Sequence, residues 1–159
     1  MIASLFALTS AAASDPLSPL DFLLGKWSSG APDAVGTDLF QRELDGHVLQ
    51  RSSQSMTRAS EGKSQGSRQA LLTVYPAGSG DALAAIYFDN EGHVIRYNRV
   101  IVTSGKAVEF LSDGAKRGPS FRLTYALKTR GVLHVKFEMA PPGESTYRNI
   151  AEADEAATP

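Results

Sequence analysis

Alternating apolar and polar positions dominate this chain from about residue 27 onward, and Gly, Asp, Asn and Ser interrupt them at near-regular intervals. Such alternation is typical of half-buried β-strands joined by tight turns. The pattern predicts an all-β fold, either a sandwich or a barrel. The short links favour an antiparallel up-and-down β-barrel of about ten strands, because closing the sheet removes its unpaired edges. The predicted strands lie near residues 27–30, 37–44, 47–56, 68–75, 82–89, 93–103, 107–112, 121–128, 133–139 and 146–150.

One hairpin can be predicted down to its register. A two-residue loop would pair Leu127 with His134, whereas a three-residue loop at 129–131 pairs Leu127 with Leu133. Only the second register places the apolar side chains of both strands on one face. It requires Gly131 in the left-handed conformation, which glycine adopts without a steric penalty. The same register pairs Tyr125 with Val135 and Leu123 with Phe137.

The strands on either side of the turn at 90–92 have mixed faces. A three-residue loop there brings Arg99 to one face and Arg96 to the other, so whichever face points inward carries an arginine. An inward arginine is costly in a dry core, but it suits a ligand with an apolar body and an anionic head, such as a fatty acid. Alternatively, these arginines lie near the barrel ends and extend to solvent. The predicted cavity residues are Arg51, Tyr87, Tyr97, Arg99 and Tyr125.

The triplet Gly-His-Val occurs twice, with His47 and His93 in matching positions. Two such histidines suggest a shared metal, but each triplet follows a predicted tight turn. The two turns are the first and the fourth of the meander, so they are predicted at opposite ends of the barrel. A strand of about eight residues spans roughly 25 Å, a gap that one metal cannot bridge. The sequence therefore predicts a repeated turn and no metal site.

Composition and motifs exclude several function classes. The chain has 159 residues, 42% of them hydrophobic, which fits a single domain, predicted over residues 20–152. A net charge of -1 without charge blocks disfavours nucleic-acid binding, and zero cysteines exclude a thiolate nucleophile. The stretch 62–66 matches G-x-S-x-G, but polar flanks and no surrounding α/β pattern disfavour a serine hydrolase.

Both termini are predicted to lie outside the barrel. An apolar stretch at 2–8 followed by three alanines at 11–13 resembles a secretory signal, although no Lys or Arg precedes it. Residues 1–13 are therefore predicted to direct the protein to the periplasm or the exterior. Neither this segment nor any later one is long and apolar enough to be predicted as a membrane span. The acidic, alanine-rich tail at 153–159 is predicted to be disordered.

The stretch LDFLLGKW contains Gly25, Lys26 and Trp27 in a G-x-W motif after a short predicted helical turn. With the ten-strand meander that follows, it resembles the lipocalin and calycin barrels, including bacterial lipocalin-like and nitrobindin-like domains. The resemblance implies a cavity that binds a small apolar molecule. It also implies that Trp27 closes one barrel end, with Arg148 of the last strand stacked on it.

Nitrobindin-like domains ligate haem through a histidine near the C-terminus. This chain has no histidine after His134, and Tyr147 is the remaining candidate ligand, so haem is disfavoured and no cofactor is predicted. The predicted function is carriage of a small apolar, fatty-acid-like molecule without catalysis. Two alternatives remain: an enzyme that uses Tyr and Arg groups in the cavity, and a closed structural domain that acts through a protein partner.

Overall fold

A computed structural model describes residues 15–31, 34–57, 66–78, 80–103, 105–114 and 118–159 of the chain. A 3-10 helix at Ser18–Leu23 precedes ten strands. No helix in these ranges is long and apolar enough to cross a membrane. The strands are β1 (Gly25–Ala31), β2 (Ala34–Glu43), β3 (Val48–Thr57), β4 (Gly66–Pro76), β5 (Leu83–Asp89), β6 (Val94–Thr103), β7 (Ala107–Ser112), β8 (Ser120–Thr129), β9 (Val132–Ala140) and β10 (Arg148–Thr158).

The strands form a closed barrel in which each strand pairs with its neighbours along the chain, and β1 pairs with β10. All ten pairings are antiparallel. The predicted all-β, up-and-down barrel with a short N-terminal helical turn is therefore confirmed. This architecture is compatible with a lipocalin-like fold.

The hairpin between β8 and β9 has the register that its apolar pattern predicts. Leu127 pairs with Leu133, and Tyr125 pairs with Val135. Gly131 has a φ of 81°, the left-handed conformation that the turn requires. The pairing shifts by one residue between Leu127 and Thr129, which is the bulge that accompanies a three-residue loop.

The two ends of the barrel differ in how they are covered. In a meander successive links alternate between ends, so the links at 44–47 and 130–131 share one end, and those at 90–93 and 141–147 share the other. The 3-10 helix lies at the first end, where the Pro19 carbonyl accepts a hydrogen bond from the Gly105 N–H at 3.4 Å. We call this the closed end; no helix of the described residues lies over the opposite end, which we call the open end. His47 and His93 thus lie at opposite ends, as predicted.

A dry core fills the closed end. Leu17, Leu20 and Leu23 are buried beside Trp27, in one apolar cluster with the inward side chains of the strands. The Trp27 Nε1–H donates a hydrogen bond of 2.7 Å to the Leu23 carbonyl, which satisfies both groups away from water. Trp27 therefore lies at the closed end, the position that the family resemblance implies.

The chain beyond Ile150 corrects one prediction. Residues 153–158 are not a disordered tail but the second half of β10, which pairs with β9 on one side and β1 on the other. Backbone hydrogen bonds on both edges hold this segment, so it needs few large apolar side chains. The proposed signal segment, residues 1–13, and residues 62–65 of the G-x-S-x-G stretch lie outside the described residues.

Candidate functional site

A cavity of about 650 Å³ enters the barrel from the open end. Inward-facing residues of seven strands and the 90–93 turn line it, because alternate residues of every strand point into a barrel. Most of its wall is apolar. The apolar lining residues are Ala70, Val94, Ile95, Phe121, Leu123, Val135, Phe137 and Ala151; the polar ones are Arg51, Ser53, Ser55, Arg68, Tyr87, Asp89, His93 and Tyr97.

The inward positions of β3 show how the sequence shapes this cavity. From the closed end to the open end they read Leu49, Arg51, Ser53 and Ser55. Leu49 is 1% exposed within the dry core, whereas the two serines line the cavity. The alternation of the strand continues unbroken, but small polar side chains replace large apolar ones, and space opens above Arg51.

Arg51 lies at the bottom of the cavity together with two carboxylates. Its Nε lies 3.3 Å from Asp38 Oδ2, and its Nη1 donates a hydrogen bond to the Tyr125 hydroxyl. Asp38 and Ala157 both pair with the inward Trp27, so Glu155, two residues before Ala157, also faces inward. We call Asp38, Arg51, Tyr125 and Glu155 the floor cluster; each is less than a tenth exposed.

Glu155 is the unusual member of the floor cluster. Burial and, secondarily, the negative charge of Asp38 raise the pKa of its carboxyl to about 7, against the opposing effect of Arg51. Its Oε2 is buried and has no hydrogen-bond partner among the described residues. A buried carboxyl with this pKa exchanges its proton near neutral pH, which is the range that acid–base chemistry uses.

Tyr87 and Tyr97 form part of the cavity wall above the floor cluster. The Tyr87 hydroxyl donates to Asp89 Oδ2 at 3.2 Å, and burial, followed by the charge of Asp89, raises its pKa. Burial also raises the pKa of Tyr97, whose ring packs against Phe110 at 5.9 Å. Within the described ranges the Tyr97 hydroxyl has no hydrogen-bond partner. Both groups therefore stay protonated. The Tyr97 O–H can donate a hydrogen bond to a ligand, whereas the Tyr87 O–H is already donated to Asp89 and its oxygen can only accept one.

The rim of the cavity carries a charged network centred on Asp89. This carboxylate accepts hydrogen bonds from the backbone N–H groups of Glu91 and His93, and it lies 2.9 Å from His93 Nδ1. Burial acts to raise the pKa of Asp89, but these hydrogen bonds outweigh it and lower the pKa. Arg68 Nη2 lies 3.6 Å from Asp89 and 2.5 Å from Glu91.

Asp89, Glu91 and His93 place one possible metal-ligand atom each within 4.8 Å of one another. Arg68 already neutralises two of these groups, and Asp89 also accepts backbone hydrogen bonds. A cation at this position would have to compete with the guanidinium. We therefore interpret Asp89, Glu91 and His93, together with Arg68, as an ion-pair network at the rim and not as a metal site.

Four of the five predicted cavity residues lie in or directly beneath the cavity, whereas Arg99 lies outside it. Arg51, Tyr87 and Tyr97 line the cavity, and Tyr125 contacts Arg51 beneath it. Arg99 is exposed on the outer surface, because the pairing of β6 with β7 shifts between Tyr97 and Arg99. This bulge reverses the alternation, so that Val100 and Val102 pack against the core in place of Arg99.

The predicted stacking of Arg148 on Trp27 is not found. Arg148 begins β10 at the open end, where it is 65% exposed and pairs with Glu144 at 3.0 Å, whereas Trp27 lies at the closed end. Tyr147, the remaining candidate haem ligand, packs against the Arg122 guanidinium at 4.5 Å and does not line the cavity. Neither residue contributes to the site.

Asp38 and Glu155 are the site residues that the sequence prediction missed. The tail that contains Glu155 is predicted to be disordered, and Asp38 is followed directly by two apolar residues, Leu39 and Phe40, so the alternation of β2 does not show which of its faces points inward. A signal did exist in the tail, where Ala151, Ala153, Glu155 and Ala157 occupy every second position. Small inward residues around a single inward glutamate fit a narrow part of a barrel wall.

Comparison with known proteins assigns no family: no family model matches the chain, and no curated protein matches it significantly.

Proposed function

We propose that this protein binds and carries a small, mainly apolar molecule inside its barrel, without catalysis. The observation that supports this proposal is the cavity of about 650 Å³, which is apolar over most of its wall. Small-molecule sites typically enclose about 300–1,000 Å³ and combine an apolar lining with a few polar groups. The cavity counts against the hypothesis of a closed structural domain, whose barrel would be filled by its own side chains.

The resemblance to calycin and nitrobindin-like barrels belongs to the same proposal. It draws support from the closed ten-strand meander, the helix over one end and the position of Trp27. Arg148 does not support the resemblance, because it lies at the open end of the barrel and Trp27 lies at the closed end.

Native mass spectrometry of the protein purified from its own host tests the proposal. We expect a mass excess that disappears on denaturation. Ala151→Trp should abolish it, because Ala151 lines the cavity. Ala156→Trp is the matched control, since Ala156 is an exposed alanine of the same strand that does not line the cavity. An excess that survives in the Ala151 variant would place the ligand elsewhere and contradict the proposal.

Proton transfer in the same cavity is a second candidate, favoured by the raised pKa of Glu155 beside Arg51. Glu155 lies beneath the lining residues, so this candidate requires a ligand whose carbonyl end reaches the floor cluster. There Glu155 would take a proton from the carbon next to the carbonyl and later return it, while Arg51 stabilised the enolate oxygen. Incubating methyl undecyl ketone with the protein in heavy water tests this candidate. Deuterium incorporation above the buffer rate, lost in Glu155→Gln, would favour an enzyme over a carrier.

Export to the periplasm or the exterior also remains a proposal, supported by the composition of residues 1–13. Fusing residues 1–20 to a reporter that is active only after export tests it. Retention of the reporter in the cytoplasm would contradict an export signal.

A further inference from the structure

We propose that the polar end of the ligand is uncharged, a carbonyl, amide or hydroxyl group seated against Arg51 and Tyr97, and that the cavity discriminates against the corresponding carboxylate. This inference rests on the proposed carrier function and names the ligand class. It differs from the fatty-acid-like ligand that an inward arginine alone suggests.

The single positive charge of the floor cluster is already paired, so the cluster has no free cation for a ligand carboxylate. Arg51 is the only cationic side chain of that cluster, and Asp38 already faces its Nε at 3.3 Å. Glu155 adds a second acidic group, whose electrostatic interaction with both Asp38 and Arg51 shows that it is close to them. The formal charge of the cluster is therefore zero when Glu155 is protonated and -1 when it is ionised.

A third carboxylate in this position would be desolvated beside two others. An ion removed from water needs an opposite charge or several hydrogen bonds in return, and like charges at short range repel more strongly in a low-dielectric interior. Asp38, Arg51 and Glu155 are 4%, 8% and 7% exposed, so water screens these interactions little. An uncharged polar group avoids this repulsion.

Hydrogen-bond donors for an uncharged group are present. Tyr97 lines the cavity, and its hydroxyl has no hydrogen-bond partner among the described residues; Arg51 lines the cavity too, and the hydrogen bond described for its guanidinium uses Nη1. Both groups face the same space, and both can donate to a carbonyl or hydroxyl oxygen. Burial keeps Tyr97 protonated, so it remains a donor.

The described part of the rim also offers no unpaired cation. Arg68 is shared between Asp89 and Glu91, and His93 lies against Asp89. A ligand that entered with its carboxylate at this rim would meet a network that already holds two acidic groups.

The decisive experiment compares three probes that share one alkyl chain: dodecanol, dodecanamide and dodecanoic acid. Calorimetric titration of the full chain near pH 8, about four units above the usual carboxyl pKa, keeps the acid ionised. We expect at least one uncharged probe to bind about tenfold more tightly than dodecanoate, a difference of about 1.4 kcal/mol. If dodecanoate binds as tightly as both uncharged probes, the inference about the polar end is overturned, but the carrier proposal is not. Failure of all three to bind would overturn the carrier proposal together with it.

Variants test whether the floor cluster causes the preference. Glu155→Gln removes a negative charge next to Arg51, so we expect dodecanoate to bind about threefold to tenfold more tightly and dodecanol within about twofold of wild type. Glu152→Gln is the matched control, because Glu152 is exposed on the same strand and accepts a hydrogen bond from Asn149. An equal gain in both variants would assign the effect to overall charge and contradict the role of the floor cluster. The wild-type titration decides the inference even if the Glu155 variant fails to fold.

Discussion

The closed and open ends of this barrel are built from the same ten strands but serve different purposes. At the closed end, Leu20, Leu23 and Trp27 pack against inward Leu and Val side chains, and the 3-10 helix seals them from water. At the open end the same alternation presents serines, an arginine and an aspartate, and a cavity remains. The strand pattern therefore determines the barrel, while the size and polarity of its inward residues determine where the barrel is solid.

The floor cluster lies at the boundary between these two regions. Arg51 follows Leu49 by one inward position on β3, so the dry core ends where the first buried charge begins. Removing one partner of a buried ion pair leaves an uncompensated charge, so substitutions of Asp38 or Arg51 should also affect folding. We expect substitutions at the closed end to affect mainly folding, and substitutions of Glu155 and of the rim to affect mainly pH response and binding.

The largest effect is expected from Leu20→Ala at the closed end. Leu20 is fully buried, so its truncation leaves a cavity and should lower the free energy of unfolding by about 3 kcal/mol. Leu24→Ala is the matched control, since Leu24 is 38% exposed, and it should cost less than about 1 kcal/mol. Urea denaturation measures both. Equal losses would show that the helix does not seal the core.

A smaller, pH-dependent effect is expected from Glu155→Gln. The pKa of Glu155 is raised from 4.5 to about 7 in the folded protein, so the unfolded chain loses this proton first as the pH rises. Stability therefore falls between these two pH values and stays lower above them. The variant should be more stable than wild type by about 2 kcal/mol near pH 8 and nearly equal to it near pH 4. Denaturation at the two pH values measures this; a constant difference would contradict the raised pKa.

Trp27→Phe should cost about 1–2 kcal/mol at the closed end. The substitution keeps an aromatic ring but removes the Nε1–H, which leaves the buried Leu23 carbonyl without its donor. Phe40→Leu changes aromatic packing but leaves this hydrogen bond in place. Comparing the Tm values of the two variants therefore separates the contribution of the hydrogen bond from that of ring packing. An unchanged Tm for Trp27→Phe would mean that the helix does not depend on this hydrogen bond.

The smallest effect is expected from Arg68→Gln at the open rim. Arg68 is 53% exposed, and exposed ion pairs contribute about 0–1 kcal/mol, which salt reduces further. Arg42→Gln is the counterpart at the closed end, where Arg42 is 19% exposed and bonds to both Asp15 and Asp21 beside the helix. Urea denaturation at low and high salt should show a greater loss of unfolding free energy for Arg42→Gln than for Arg68→Gln. A greater loss for Arg68→Gln would contradict the expectation that ion pairs at the closed end contribute more to stability than those at the rim.

The sequence predicted the barrel because its signals are local. Alternation assigns each strand, and the apolar match of Leu127 with Leu133 selects one register of the hairpin. The cavity residues Tyr87 and Tyr97 followed from the same alternation. The alternation shows which residues share a face, but around the turn at 90–92 both faces are mixed, so the sequence left open which of them points inward.

The prediction failed where pairing, and not alternation, decides the structure. The bulge between Tyr97 and Arg99 inserts one residue, and this turned Arg99 outward. β10 has almost no large apolar residues, since its backbone pairs on both edges, and Glu155 was missed with it. The floor cluster joins β2, β3, β8 and β10, so no single stretch of sequence could reveal it.

The pairing of β1 with β10 also has a consequence for how the chain folds. Lys26 pairs with Thr158, so the last seam of the barrel joins residues that are separated by nearly the whole described chain. Hairpins such as β8–β9 close short loops, whereas this seam carries the largest loop-closure entropy, so we expect it to form late. During synthesis, neither the Trp27 side of the core nor the wall that holds Glu155 can be completed before β10 has left the ribosome. Until then β1 keeps an open edge, which makes the unfinished barrel most prone to aggregation just before it closes.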